Sequence, residues 1–201
     1  MNILGIGAEA MVLKTTYLGL PAVQKRRERK NYRNAALDAK IRSRRTKQEC
    51  LLLFRAKEAQ VRCPAIYKID RVNSEITMEF IGGKKAKTFL NRQNFKKICE
   101  KIGQEIGKLH SKEIIHGDLT TDNIIIEGKR IAFVDFGLGF FSKKTEDFAT
   151  DLLSMKKTFL STHFVLKCGF EAVLKGYRKT APGAQKTIET IAEIEARTRY
   201  S

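Results

Sequence analysis

His116-Gly117-Asp118-Leu119-Thr120-Thr121-Asp122-Asn123, followed downstream by Val134-Asp135-Phe136-Gly137, is the stretch that decides how this chain is read. Between the two pieces, Ile124-Ile125-Ile126 and Ile131-Ala132-Phe133-Val134 flank Glu127-Gly128-Lys129-Arg130, the pattern of a short hairpin. A hairpin there carries Asp135 back beside Asp118 and Asn123. Each piece alone is common, because most aspartates are merely solvated or cap helices. In this order and at this spacing they make one constellation.

The residue types suit phosphate chemistry. A carboxylate and an amide oxygen brought together can hold Mg²⁺ on the β- and γ-phosphates of ATP, and Asn123 and Asp135 are the candidate metal ligands. A second carboxylate near the γ-phosphate but off the metal can orient an attacking hydroxyl or water and accept its proton. Asp118 is that candidate, and the five-residue step to Asn123 lets one loop present both. The reaction expected is transfer or release of the terminal phosphoryl group of Mg-ATP.

Working toward the N-terminus, Gly82-Gly83 reads as a hinge. Before it, strand-like runs around Ala65 to Val72 and Ile76 to Ile81 turn at Asn73-Ser74, and Pro64 closes a helical pattern that runs from about Ser43 to Glu58. Lys25 to Lys47 is basic, with eleven Lys or Arg against Glu28 and Asp38. Ile3 to Leu20 reads as two strands joined by a glycine-rich turn, ending at Pro21. Gly5-Ile6-Gly7-Ala8-Glu9-Ala10 supplies two of the three glycines of a phosphate-cradling G-x-G-x-x-G, so Ile3, Gly5, Gly7, Ala8, Glu9, Ala10 and Met11 are candidate nucleotide contacts.

Toward the C-terminus, Phe95, Ile98, Ile102, Ile106 and Leu109 recur at helical steps, and Gly103 and Gly107 leave room for a close neighbour. Everything after about Glu146 reads as helix. The order predicts an α+β fold, with a small sheet-rich lobe (1–81) hinged to a reduced helical lobe (82–201) in one domain.

The 201 residues are enough for one sizeable core, and 42% hydrophobic with 30% charged residues describes an ordinary globular protein. No apolar run approaches the ~20 residues that span a bilayer, and Met1-Asn2-Ile3-Leu4-Gly5 lacks signal-peptide features, so an intracellular protein is expected. Cys50, Cys63, Cys99 and Cys168 have no metal-ligand spacing and are expected to be reduced, mostly buried thiols. A net charge of +17 favours contact with nucleic acid or another polyanion.

The constellation resembles the catalytic and metal-binding loops of the protein-kinase superfamily. On that resemblance Ala22-Val23-Gln24-Lys25 is similar to the strand that supplies the phosphate-binding lysine, and Glu49 stands on the following helix as its ion-pair partner. Met78-Glu79-Phe80-Ile81 is similar to a kinase hinge, which implies that the Glu79 carbonyl and the Ile81 N–H meet the adenine edge; without it, the run is simply a buried strand end.

The similarity is greatest to the small atypical kinase of the KEOPS complex, the PRPK family, and covers nearly the whole chain. It rests on Gly7-Ala8-Glu9-Ala10, on Lys25 through Lys30-Asn31-Tyr32-Arg33 to Leu37-Asp38, on Arg45-Thr46 to Glu49, on His116 to Thr121, on Glu146-Asp147 to Asp151-Leu152, and on Phe159-Leu160-Ser161-Thr162-His163. The resemblance implies a bilobal ATPase or Ser/Thr autokinase that uses ATP and Mg²⁺ beside the subunit that makes the threonylcarbamoyladenosine of tRNA. It implies other KEOPS subunits and tRNA as partners, no membrane, and a cytoplasmic or, in a eukaryote, nuclear place. Asp118 carries over as proton acceptor, Lys25 as ATP contact, Asn123 and Asp135 as metal ligands, and Asp151 as the carboxylate that braces the catalytic loop.

Departures shape the expectation. Gly117 replaces the arginine that ordinary protein kinases pair with a phosphorylated loop, and Thr120 replaces a lysine near the γ-phosphate, so slow turnover without loop switching is expected. Asp122 stands where the family commonly has serine. The short loop after Gly137 offers no peptide platform, which weighs against a stand-alone Ser/Thr kinase acting on other proteins. A small-molecule kinase and a nucleotide-binding scaffold are further alternatives.

Overall fold

The structure is a computed structural model that describes residues 2–6 and 10–199. Five strands, β1 (Asn2–Ile6), β2 (Met11–Tyr17), β3 (Leu20–Arg26), β4 (Ile66–Asp70) and β5 (Glu75–Glu79), form an antiparallel sheet in the order β1-β2-β3-β5-β4. The turn between β2 and β3 places Leu18 and Gly19 at φ +49° and +79°, the doubly left-handed hairpin that matches strand twist. Pro21 does not end this region; it lies within β3 opposite Thr16, and its carbonyl accepts the Phe80 N–H at 3.2 Å.

Helix α1 (Ala35–Glu58) crosses behind the sheet and starts eight residues before the position expected from periodicity. Asn34 caps it, its Oδ1 accepting the N–H groups of Ala36 and Leu37 at 3.0 and 3.4 Å. In the first turn the buried Asp38 accepts from Arg42 Nε at 2.7 Å and from the Lys30 N–H at 3.3 Å. These polar contacts replace the apolar stripe there, so hydrophobic spacing alone registers only the half that buries Cys50, Leu52, Leu53 and Ala56.

The second lobe begins with β6 (Lys84–Lys85), α2 (Ala86–Phe89) and α3 (Phe95–Ser111). Short strands follow, β7 (Ile114–Ile115), β8 (Ile124–Glu127), β9 (Arg130–Phe133) and β10 (Phe140–Phe141), and then α4 (Thr145–Thr162), α5 (Gly169–Tyr177) and α6 (Ala184–Arg199). β8 and β9 are the expected hairpin, with β6 on its other side, and β7 pairs with β10. α3 buries Cys99, Ile102, Ile106 and Leu109. Its expected close neighbour is α5: a Cβ on Gly103 would stand 1.9 Å from the Val173 carbonyl oxygen. Among the described residues no helix is long and apolar enough to cross a membrane.

One side chain braces the joint between the lobes. Arg62 makes two hydrogen bonds to the Glu79 carboxylate, at 2.8 and 2.6 Å, and a third to Glu127 at 3.3 Å, while its carbonyl accepts the Phe133 N–H at 2.9 Å. The expected hinge at Gly82-Gly83 therefore runs beside an ion-paired strut. Cys50, Cys63 and Cys99 are buried and Cys168 is exposed. Burial pushes the thiols of Cys50 and Cys63 up to about 11 and that of Cys99 to about 12, so they stay protonated and inert.

Candidate active site

The loop from His116 to Asn123 is held from beneath by α4. Asp151, almost fully buried, accepts the His116 N–H through Oδ2 and the Gly117 N–H through Oδ1, each at 2.9 Å. His110 of α3 lies 3.3 Å from Oδ2 through Nε2 and 2.9 Å from the Tyr177 hydroxyl through Nδ1, and it stacks on Phe148. A carboxylate only accepts, so Nε2 carries the proton. Burial works to raise the Asp151 carboxyl, but the bonds and charge from His110 and the His116 N–H more than offset it and leave its pKa below the usual value. The bracing role implied for Asp151 matches these contacts.

Gly117 has φ +79°, and a Cβ there would meet the Leu138 carbonyl oxygen at 2.3 Å. The place that holds an arginine in ordinary protein kinases is therefore open to glycine alone. His116 links the two halves of the constellation. Its Nδ1 accepts the Asp118 N–H at 3.4 Å and its Nε2 donates to the Val134 carbonyl at 3.1 Å.

Asp118 and Asn123 are brought together as the spacing suggested. The Asn123 amide nitrogen donates to both the backbone oxygen and Oδ2 of Asp118 at 2.9 Å, which leaves the Asn123 Oδ1 without a hydrogen bond among the described residues. Asp135, at φ +63°, places Oδ1 2.6 Å from the Lys25 ammonium and 3.2 Å from the Gly137 N–H; Oδ2 has no hydrogen bond among the described residues. An amide oxygen and a carboxylate oxygen both left without donors fit a hard cation such as Mg²⁺. Two oxygens are too few for a complete site, so an ion held by them would take its remaining ligands from phosphate and water.

Lys25 lies at the centre of the charge. It pairs with Glu49 at 2.6 Å, as the resemblance implied, and with Asp135 at the same distance. Burial pulls its pKa down, but Glu49 and then Asp135 more than offset that, and the ammonium sits above the ordinary lysine value. Asp135 shows the reverse: burial would raise it, and Lys25 with the Gly137 N–H hold it below the usual carboxylate range.

The described residues among the remaining candidates lie in or beside β1, β2 and β5. Gly5 lies in β1 beside a register irregularity, Ile3 is exposed on the same strand, Ala10 is buried and Met11 opens β2 opposite Arg26. Gly7, Ala8 and Glu9 lie outside the described residues. At the joint, the Glu79 side chain is committed to Arg62, and the Ile81 N–H makes no hydrogen bond among the described residues. A separate depression of about 660 Å³, lined by Leu51, Arg55, Glu58, Lys112, Glu113 and Phe141, shares no residue with the constellation.

Sequence reasoning missed Arg27, Arg62 and His110. Only Arg27 carried a signal, since it follows Lys25 by two and so shares its face of an extended chain. Asp122 binds Lys85 and Lys87 at 3.2 and 2.7 Å, which fastens β6 and α2 to the loop from His116 to Asn123.

Behind that loop His163 Nε2 lies 3.3 Å from the Thr121 hydroxyl. Burial first, then the nearby Lys87 ammonium, push its pKa below the ordinary 6.5. Below about pH 6.5 the unfolded chain therefore binds more protons than the folded one, and stability falls as the pH drops toward the folded pKa. The melting temperature of the wild type is expected to fall further between about pH 7.5 and 5.5 than that of His163→Gln. Equal drops in the two proteins would contradict this account.

The RIO domain family model matches residues 6–167. A protein of Methanobrevibacter smithii named probable bifunctional tRNA threonylcarbamoyladenosine biosynthesis protein is 43% identical over 202 residues, covering 100% of this chain but 37% of its own length. The chain thus spans little more than a third of such bifunctional relatives. KEOPS complex subunit Bud32 of Pyrococcus abyssi is 38% identical over 212 residues, with 100% of this chain and 96% of that protein covered. Among solved structures, WaaP in complex with acyl carrier protein superposes with a TM-score of 0.70 at 13% identity, covering 99% of this chain and 88% of that one. The Rio2 kinase of Chaetomium thermophilum, solved as an ADP/Mg²⁺-phosphoaspartate complex, gives 0.65 at 14%, covering 100% and 72%. At those identities the two structures establish the kinase-like fold.

Proposed function

The chain belongs to the RIO domain family, alongside Bud32, and from that premise we propose that it is an atypical kinase or ATPase that works with Mg-ATP in the formation of threonylcarbamoyladenosine in tRNA. The observation that carries the proposal is the convergence of Lys25, Glu49 and Asp135 within 2.6 Å contacts, beside an Asn123 whose amide is turned to Asp118. Bound Mg-ATP would supply the transferable phosphoryl group and its own metal charge. Asn123 Oδ1 and Asp135 would hold the ion, Lys25 would hold phosphate oxygens, and Asp118 would orient the acceptor and take its proton. Glu79 and Ile81 would meet the adenine through backbone groups, with Ile3, Gly5, Gly7, Ala8, Glu9, Ala10 and Met11 over the phosphates and the lobe boundary after Ile81.

Water or a serine or threonine of the chain itself is the acceptor that the loop after Gly137 favours. Phe140 and Phe141 are tied into a ladder with Ile115 and Ile114, and Ser142 bonds to Asp147, so this segment is folded onto its own lobe where a peptide platform would lie. Thr120 supplies no cation, and slow turnover follows.

The partners proposed are a threonylcarbamoyl-transferase subunit, the other subunits of that complex and tRNA, acting in the cytoplasm or nucleus. Arg26, Arg29, Lys40, Arg44 and Lys47 present exposed charge along the basic segment for phosphate backbone. The test is ATP turnover by the purified chain, alone and with the transferase subunit and tRNA. Acceleration of at least several-fold by the pair is expected. Unchanged turnover together with no tRNA binding at low salt would remove the proposal.

A further inference from the structure

Two buried cations share one buried carboxylate at the mouth of the site. Lys25 Nζ contacts Glu49 Oε1 and Arg27 Nη2 contacts Glu49 Oε2, both at 2.6 Å. Lys25, Arg27 and Glu49 are 5%, 4% and 1% exposed. The strand register sets this up: β3 runs on past Arg26, with the Arg27 N–H donating to the Ser74 carbonyl at 3.2 Å, so residues 25 and 27 point the same way toward α1. A Cβ placed on Gly137 would lie 3.0 Å from Asp135 Oδ1 and 3.2 Å from both Lys25 Nζ and Arg27 Nη2. Both cations and the candidate metal carboxylate therefore converge on one glycine.

Lys25 is divided between two carboxylates. Its ammonium has three protons, so it can exchange Asp135 for a phosphate while it keeps Glu49, provided Glu49 itself stays in place. A Glu49 held by Lys25 alone would follow that ammonium as it moves. Arg27 prevents this because it occupies the second oxygen of Glu49 from a neighbouring position on the same strand. Arginine also keeps its charge when buried, whereas a lysine in that place loses its proton more readily.

We propose that Arg27 is a positioning residue that anchors Glu49, and with it α1, so that Lys25 is free to exchange between Asp135 and a nucleotide phosphate. The proposal rests on the nucleotide-binding reading above. It places the fixed contact of the glutamate on Arg27 and the exchangeable contact of Lys25 on Asp135.

The test uses the full chain and two readouts. In calorimetric titration with ATP and MgCl₂, Arg27→Met is expected to weaken the Kd by tenfold or more and Arg27→Lys to recover most of that loss. In melting of the nucleotide-free protein, Lys25→Met and Arg27→Met each leave Glu49 one partner, so the double variant is expected to lose clearly more melting temperature than the sum of the singles. An unchanged Kd in folded Arg27→Met overturns the proposal, as do additive melting losses. Should Arg27→Met not fold, Arg27→Gln, which keeps a hydrogen-bond donor without the charge, takes its place and must weaken the Kd likewise. If the wild type binds no nucleotide, the functional reading falls by itself, and the melting arm still decides whether Arg27 anchors Glu49.

Discussion

Asp151→Ala is expected to lower the melting temperature by roughly 10 °C and to abolish turnover with it. The change strands the N–H groups of His116 and Gly117, which donate to this carboxylate at 2.9 Å, and removes the partner of His110 in a site closed to water. Breaking such a buried charged network costs about 3–5 kcal/mol, and a chain of this size loses about 2–4 °C per kcal/mol. Asp151→Asn separates shape from charge. Its Oδ1 can still accept one N–H, but its amide group points a donor at another donor, so it should recover only part of the loss. A melting curve within 2 °C of wild type for Asp151→Ala would show that the catalytic loop is held by something else. Because the Asp151 pKa lies below the usual carboxylate value, its contribution persists above about pH 4 and is lost as the pH falls toward the folded pKa.

Asp118→Ala is expected to lower the turnover number about 10²–10⁴-fold while leaving the fold intact. Asp118 is only half-buried, and in the loop its carboxylate meets the amide of Asn123. Its removal therefore leaves no buried charge and one displaced hydrogen bond, which the backbone oxygen of residue 118 still accepts. Nucleotide affinity should change by no more than about threefold, since Lys25, Asn123 and Asp135 all remain. Single-turnover measurements at saturating Mg-ATP isolate the chemical step. A loss carried entirely by weaker binding would move Asp118 from proton acceptor to metal support, and undiminished turnover would remove it from the chemistry.

Much of this was legible in the sequence because local motifs encode local geometry. The hairpin between Asn123 and Asp135 follows from two apolar runs and a polar turn, and its register returns Val134, next to Asp135, to Asn123. The Lys25 and Glu49 pair was reachable by resemblance, since strand and helix follow each other in the chain. The first half of α1 was not legible: Asp38 and Arg42 take inward positions there, so no apolar period announces it. Arg62 and His110 were hidden for a related reason. Each acts through a partner distant in sequence, and nothing in their own neighbours distinguishes a buried arginine or histidine from a solvated one. The motif residues and the Asp151 brace were thus readable, and the arginine and histidine contacts around them were not.

The Arg62 strut has a consequence for ligand thermodynamics. A protein whose lobes flap open binds with an apparent affinity reduced by the fraction of time its clamshell is shut. Here Arg62 ties Glu79 of the sheet lobe to Glu127 of the helical lobe, so any opening that parts the lobes has to break an ion pair, and the strut biases the clamshell toward its shut arrangement.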